Sequence, residues 1–238
     1  MEDRPLSTVV AVDGPSGSGK SSVSREVAAR LGLAYLDTGA MYRAATWWCT
    51  HQGVDLADGT AVTAAVRAMP LVMGMDPAAP TVHVDGHDVA AAIRTTEISA
   101  AVSAVATTLD ARAELGARQR ALIDAERTGG FSAGRGVVAE GRDITTVVAP
   151  DADVRVLLTA SEEARLARRA REVHGTDDAA ALAATHDQVL RRDADDSTVV
   201  QFHVAADGVV TVDSSHLTYE GTVEAVLDVV ARTLAVRS

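Results

Sequence analysis

The chain has 238 residues, 47% of them hydrophobic and 3% aromatic, and a formal net charge of -11. This length and apolar content suffice for one domain with a sizeable core, while the acidic balance excludes a broad basic face for DNA or RNA. No run reaches the roughly 18 apolar residues of a membrane span, and Cys49, the single cysteine, has no disulfide partner. We therefore expect a cytoplasmic protein in which any anion site is local.

The first apolar run, TVVAV at 8–12, reads as a strand that stops at Asp13-Gly14. SSVSREVAARLG then sets Val23, Val27 and Leu31 at helical spacing before a Gly32 cap. Between strand and helix lies GPSGSGKSS, in which Gly14, Gly19, Lys20 and Ser21 satisfy the pattern GxxxxGK[ST] in the context that makes it meaningful. Such a loop, Gly14, Pro15, Ser16, Gly17, Ser18, Gly19, Lys20, Ser21 and Ser22, surrounds the phosphates of a nucleoside triphosphate with backbone N–H groups and a helix N-terminus, and Ser21 can hold Mg²⁺. Lys20 is the only lysine in the sequence, against 21 arginines. An ammonium is a compact point charge that reaches the β- and γ-phosphates where a planar guanidinium does not fit.

Further apolar runs at 33–37 (LAYLD), 137–140 (VVAE), 154–159 (VRVLLT) and 209–213 (VVTVD) alternate with helical segments. Runs apolar on both faces suit five buried parallel strands with helices on either side, an α/β core. Two regions depart from this rhythm. LVMGM and TVHVDG, separated by the breaker-rich DPAAP, predict a small antiparallel addition within an insert at 63–100. Residues 161–193 are helical and arginine-rich, with Ser161 as N-cap and Glu162 and Glu163 in the first turn, and form a candidate lid. TGGFSAGRG at 128–136 reads as a flexible loop. The whole, 1–238, is one domain with two mobile subregions.

Five stretches, DGPSGSGKSS, LDTGAMYRA, IRTTEISAAVSAVA, GRDITTVVAPDA and RDADDST, resemble bacterial cytidylate kinases in the same order over nearly the whole chain. The resemblance implies transfer of the γ-phosphoryl group of Mg·ATP to CMP or dCMP by a monomer. It implies that Asp37, Thr38, Tyr42 and Arg43 line the monophosphate site, with Arg43 clamping the phosphate. Tyr42 either joins them or packs with Trp47 on its helix. Cytosine recognition falls on Ser103, Arg112 and Asp143, and phosphate contact on Arg142. A carboxylate accepting the cytosine amino hydrogen beside a guanidinium donating to an acceptor edge forms the complementary pair. Ser103 could equally pack in its alanine-rich helix.

Arg165, Arg168 and Arg169 share one face of the lid helix; they either close over ATP and neutralise charge on the transferred group or form a solvated surface. Arg192 and Asp196 are expected at the ribose. Five positions depart from the family pattern. Glu140 and Thr145 stand where Asp and Gly are common, Val199 replaces an arginine, and Gln201-Phe202 replaces Pro-Leu. We expect segment 191–201 to be repacked, with Val199 and Phe202 in an apolar contact and Arg191 or a lid arginine supplying the lost phosphate contact. The catalytic group is thus expected to be Lys20, Arg43, Arg142, Arg165 and Arg169. The alternatives are a P-loop kinase for UMP or a small metabolite, and a nucleotide-dependent switch.

Overall fold

The computed structural model describes residues 7–200 and 202–237, without the side chains of Glu172, Asp187, Gln188, Leu190, Arg191, Arg192, Asp196 and Arg237. Five strands, β1 (Thr8–Asp13), β2 (Ala34–Asp37), β6 (Gly136–Gly141), β7 (Val154–Thr159) and β8 (Val210–Asp213), form one sheet in the order β2-β6-β1-β7-β8. Every pairing is parallel. These are the five strands that the apolar runs predict, and the reason is visible along β1. Val10 and Val12 enter a core with Val23 and Val27 of α1 (Lys20–Leu31) and Val223, Val226 and Val230 of α8 (Tyr219–Arg237). Val9 and Ala11 point the other way, toward Met41 of α2 (Thr38–His51) and Ile123 of α5 (Leu109–Thr128). A strand covered by helices on both faces has no side that can be polar.

Helix α1 ends as expected at Gly32, whose left-handed φ of 65° suits a residue without Cβ. Leu31 is an exception to the helical spacing: it is exposed, because the cap turns the chain before that position reaches the sheet. Cys49 is buried on α2 and reduced.

The antiparallel addition is present as β3 (Leu71–Gly74), β4 (Thr81–Val84) and β5 (His87–Asp88), in the order β3-β4-β5. It is narrower than the insert span read from the sequence, since α3 (Gly59–Ala68) and α4 (Thr96–Ala106) occupy the two ends of that span. Val82 and Val84 of β4 share a separate core with α2, α3 and Leu115 of α5. Arg25 of α1 latches this sheet to the main one, donating to the carbonyls of Pro77 (2.5 Å) and Ala78 (2.8 Å).

The arginine-rich region is a helical pair, α6 (Glu162–His174) and α7 (Ala179–Ser197), with Ser161 Oγ accepting from Ala164 N–H at 3.3 Å as N-cap. The loop at 128–136 is tied down, contrary to its glycine-rich appearance. The buried carboxylate of Glu126 accepts the amides of Phe131 and Ser132 at 2.8 Å, and Ser132 Oγ accepts from Gly136 N–H at 3.0 Å.

Candidate functional site

The C-terminal ends of β1, β2 and β6 open into one cleft of about 1350 Å³, at the edge of a parallel sheet where α/β folds place their ligands. A single drug-sized ligand occupies roughly 300–1000 Å³, so the cleft has room for two nucleotides.

At the β1 end the loop from Ser16 to Ser22 lines the cleft. Gly17 has φ 76°, and a Cβ there would lie 2.5 Å from the carbonyl oxygen of Arg165, so the loop closes against α6 only because this residue is glycine. A Cβ on Gly14 would lie 2.3 Å from the Leu158 carbonyl oxygen on β7. Lys20 Nζ donates to the Pro15 carbonyl at 3.3 Å, which folds the ammonium over its own loop.

Behind the loop, Ser21 Oγ donates to Glu140 Oε1 at 2.6 Å, and the hydroxyl of Tyr35 approaches the same oxygen at 3.4 Å. Burial, with the charge of Asp37 next in weight, pushes the Glu140 carboxyl up to about 7. Asp37 goes the other way. Burial would raise it, but the Arg43 guanidinium, the Ala40 amide and Arg94 outweigh that and hold it below the ordinary carboxylate range. It caps α2 through the Ala40 amide (2.7 Å) and pairs with Arg43 (3.2 Å) and Arg94 (3.6 Å). Thr38 is buried and donates to the Glu140 carbonyl at 2.7 Å.

Among the described residues no three His, Cys, Asp or Glu side chains are grouped to cage a metal ion. The Ser21 and Glu140 oxygens nevertheless fit Mg²⁺, which keeps several waters and is bound by one or two protein groups together with substrate phosphates.

The far wall is built from ion pairs. Arg112 donates to Asp143 Oδ2 at 2.5 Å and lies 5.6 Å over the ring of Tyr42, so the pair expected at cytosine stands ready-formed beside an aromatic face. Tyr42, Arg43, Arg112, Arg142 and Asp143 all line the cleft. Ser103 does not: the residues of α4 that do are Thr96, Ser99, Val102 and Ala106, and Ser103 is half-buried with its carbonyl accepting from Thr107. The three lid arginines divide. Arg169 lines the cleft, half-buried. Arg168 also lines it and donates to the carbonyls of Ser18 (3.1 Å) and Ser214 (2.6 Å). Arg165 is 7% exposed, outside the cleft lining, paired with Asp193 and donating to the Ser16 carbonyl at 3.0 Å. The expected roles of Arg192, Asp196 and Arg191 fall on side chains outside the described ones. Val199 is half-buried, and Phe202 is buried with the Arg142 guanidinium over its ring, a polar neighbour rather than the expected apolar contact with Val199.

Three buried acids carry the site without having been assigned a site role from the sequence. Asp13 accepts from the Ile144 amide (2.9 Å), the Thr145 amide (2.8 Å) and Thr145 Oγ1 (2.6 Å), pinning the turn that presents Arg142 and Asp143. Thr145, where glycine is usual, thereby adds a bond. Burial outweighs these bonds and pushes the Asp13 carboxyl up to about 6. Asp193 and Glu140 are the others. Their common signal is an acid placed at a predicted strand end or within an arginine-rich run, where a bare charge has no place unless paired.

With this geometry in place, the comparisons are decisive: the cytidylate kinase family model matches residues 10–232. The chain belongs to the cytidylate kinase family. A cytidylate kinase of Streptomyces avermitilis is 48% identical over 223 residues, 93% of this chain and 92% of the relative. One from Nocardia farcinica is 48% identical over 244 residues, covering 100% and 98%. A bifunctional pantoate ligase/cytidylate kinase of Synechococcus sp. is 43% identical over 93% of this chain and 43% of its own length. Family membership thus extends over the core, the antiparallel addition and the helical pair alike.

Proposed function

We propose that the chain transfers the γ-phosphoryl group of ATP to CMP or dCMP, giving CDP or dCDP and ADP, with Mg²⁺ accompanying ATP. The observation that carries this reading is the single cleft: a phosphate-binding loop with the only lysine lines one end, and the Arg112–Asp143 pair lines the other. Donor phosphates on the loop and a cytosine on the pair would direct the two phosphate ends toward the same space, between Lys20, Arg43 and Arg142.

The acceptor is an ionised phosphate and needs no strong base. Positioning and charge neutralisation therefore supply the rate. Lys20 turns from the Pro15 carbonyl to the β- and γ-phosphates, the loop amides hold the donor, and Arg43 and Arg142 hold the acceptor. Arg169 and Arg168 bring positive charge from α6, while Arg165 acts further back by fixing that helix to the loop. Ser21, with Glu140 behind it, would hold Mg²⁺, which screens phosphate charge when bound. Asp143 accepts the cytosine amino hydrogen and Arg112 donates to the base. Uracil, with a carbonyl in place of the amino group, leaves Asp143 without a donor. Ser103 reaches the base only if α4 turns.

A coupled assay of ADP release with CMP, dCMP, UMP, AMP, GMP and gluconate tests the reading. CMP and dCMP should turn over at least about tenfold faster than the rest, the discrimination expected of one lost buried hydrogen bond. Equal rates with UMP would overturn cytosine selectivity.

A further inference from the structure

Arg142 follows β6 and lines the cleft, and its reading as an acceptor-phosphate ligand belongs to the proposed function, on which this inference rests. Two contacts to described side chains orient it. Its Nη1 donates to Asp193 Oδ1 at 2.9 Å, and its guanidinium carbon lies 4.5 Å from the centroid of the Phe202 ring. Asp193 is 5% exposed and Phe202 1%. A carboxylate at the edge sets the direction of a guanidinium, and an aromatic ring against its face sets the plane. Asp193 is in turn fixed by further donors: Oδ1 also accepts the Ser16 amide at 3.2 Å and Oδ2 accepts from Arg165 Nη1. One carboxylate on α7 thus joins the acceptor arginine, the phosphate-binding loop and helix α6.

We infer that Asp193 and Phe202 are positioning residues that bracket Arg142 and aim its guanidinium at the acceptor phosphate before the substrate arrives. Freeing an arginine from a carboxylate has two opposed effects on phosphate binding: it removes a competing anion, and it releases a long side chain that must then be ordered by the substrate. The other donors on Asp193 decide between them. Because Ser16 and Arg165 fix the carboxylate, and only Nη1 of Arg142 is spent on it, the remaining guanidinium N–H groups can meet a phosphate while the tether persists, so the ordering effect prevails. Phe202 also gains a purpose here. Its ring offers a π face to the guanidinium, which an aliphatic side chain would not.

Steady-state kinetics of the full-length enzyme with CMP and Mg·ATP test this through coupling to Arg142. Asp193→Asn is expected to raise KM for CMP about tenfold and Phe202→Leu about threefold, each with a smaller change in kcat. In an Arg142→Ala background neither should change that KM by more than about twofold, because residues that act through one side chain are non-additive. A purely structural role would lower activity by the same factor in both backgrounds, and that result, or wild-type KM values for both variants, overturns the bracket. If Asp193→Asn does not fold, Phe202→Leu carries the same comparison. Failure of the underlying reading looks different: wild-type enzyme inert toward CMP sinks the function, and Arg142→Ala with unchanged CMP kinetics sinks the acceptor role of Arg142 together with its bracket.

Discussion

The two ends of the cleft are built on different principles. At the donor end, nine contiguous residues, Gly14 to Ser22, do the work, mostly through backbone amides, the α1 N-terminus and glycines that permit close approach. At the acceptor end the polar groups come from α2, α5, the turn after β6 and α7, and they reach the cleft already paired with one another: Arg43 with Asp37, Arg112 with Asp143, Arg142 with Asp193. Backbone amides tolerate substitution of neighbouring side chains, whereas an ion pair broken on one side leaves a buried charge without its partner. A donor end of this kind depends on one side chain, Lys20, and the acceptor end on several at once.

The sharpest way to break that contrast is at Lys20. Lys20→Met should lower kcat/KM by about 10³-fold, the scale on which a single preorganised electrostatic group acts. An amine-modifying reagent should inactivate the enzyme by reaction at this one internal residue, with Mg·ATP protecting, and peptide mapping with activity assays would read it. Full activity with Lys20 quantitatively modified would refute the donor-site assignment.

At the other end the expected loss is selective. Asp143→Ala should reduce the preference for CMP over UMP by about 10- to 100-fold, corresponding to roughly 1–3 kcal/mol for a well-made contact to a base edge. An unchanged ratio of kcat/KM values would make Asp143 a structural partner of Arg112 alone.

The buried acids of the two ends also divide in pH dependence without nucleotide, by whether an arginine pairs with them. Asp13 and Glu140 both have folded-state values above their unfolded ones, near 6 and 7. A carboxyl raised on folding contributes stability that is complete below its unfolded value and is lost as pH rises through the folded value. Thermal melts of the nucleotide-free protein should therefore show Tm falling between about pH 5 and pH 8. Asp13→Asn and Glu140→Gln should each flatten that fall. Asp193 and Asp37 are lowered instead, so their contribution disappears only below about pH 4, outside this window. The smallest effect is expected at Thr145→Ala, which removes the 2.6 Å bond to Asp13 and should cost about 1 kcal/mol in denaturant unfolding with little change in kinetics.

Local pattern alone identified the strands, the phosphate-binding loop, the Gly32 and Ser161 caps and the existence of the antiparallel addition, because each depends on neighbours within a few residues: a β-branched run, a glycine spacing, a capping hydroxyl. Arg112 and Asp143 came from the resemblance to cytidylate kinases rather than from local pattern, and their 2.5 Å contact joins positions 31 apart. Chain order cannot say that Asp193 meets Ser16, 177 residues away, or that Arg165 turns inward while Arg169 faces the cleft. Helical spacing gave these arginines one shared face; packing of α6 on the loop divided it, since the carbonyl of Ser16 and the carboxylate of Asp193 lie on one side of that face only. A charge is buried only where another part of the fold supplies its partner, and the packing of α6 and α7 against the sheet end decided which charges those were.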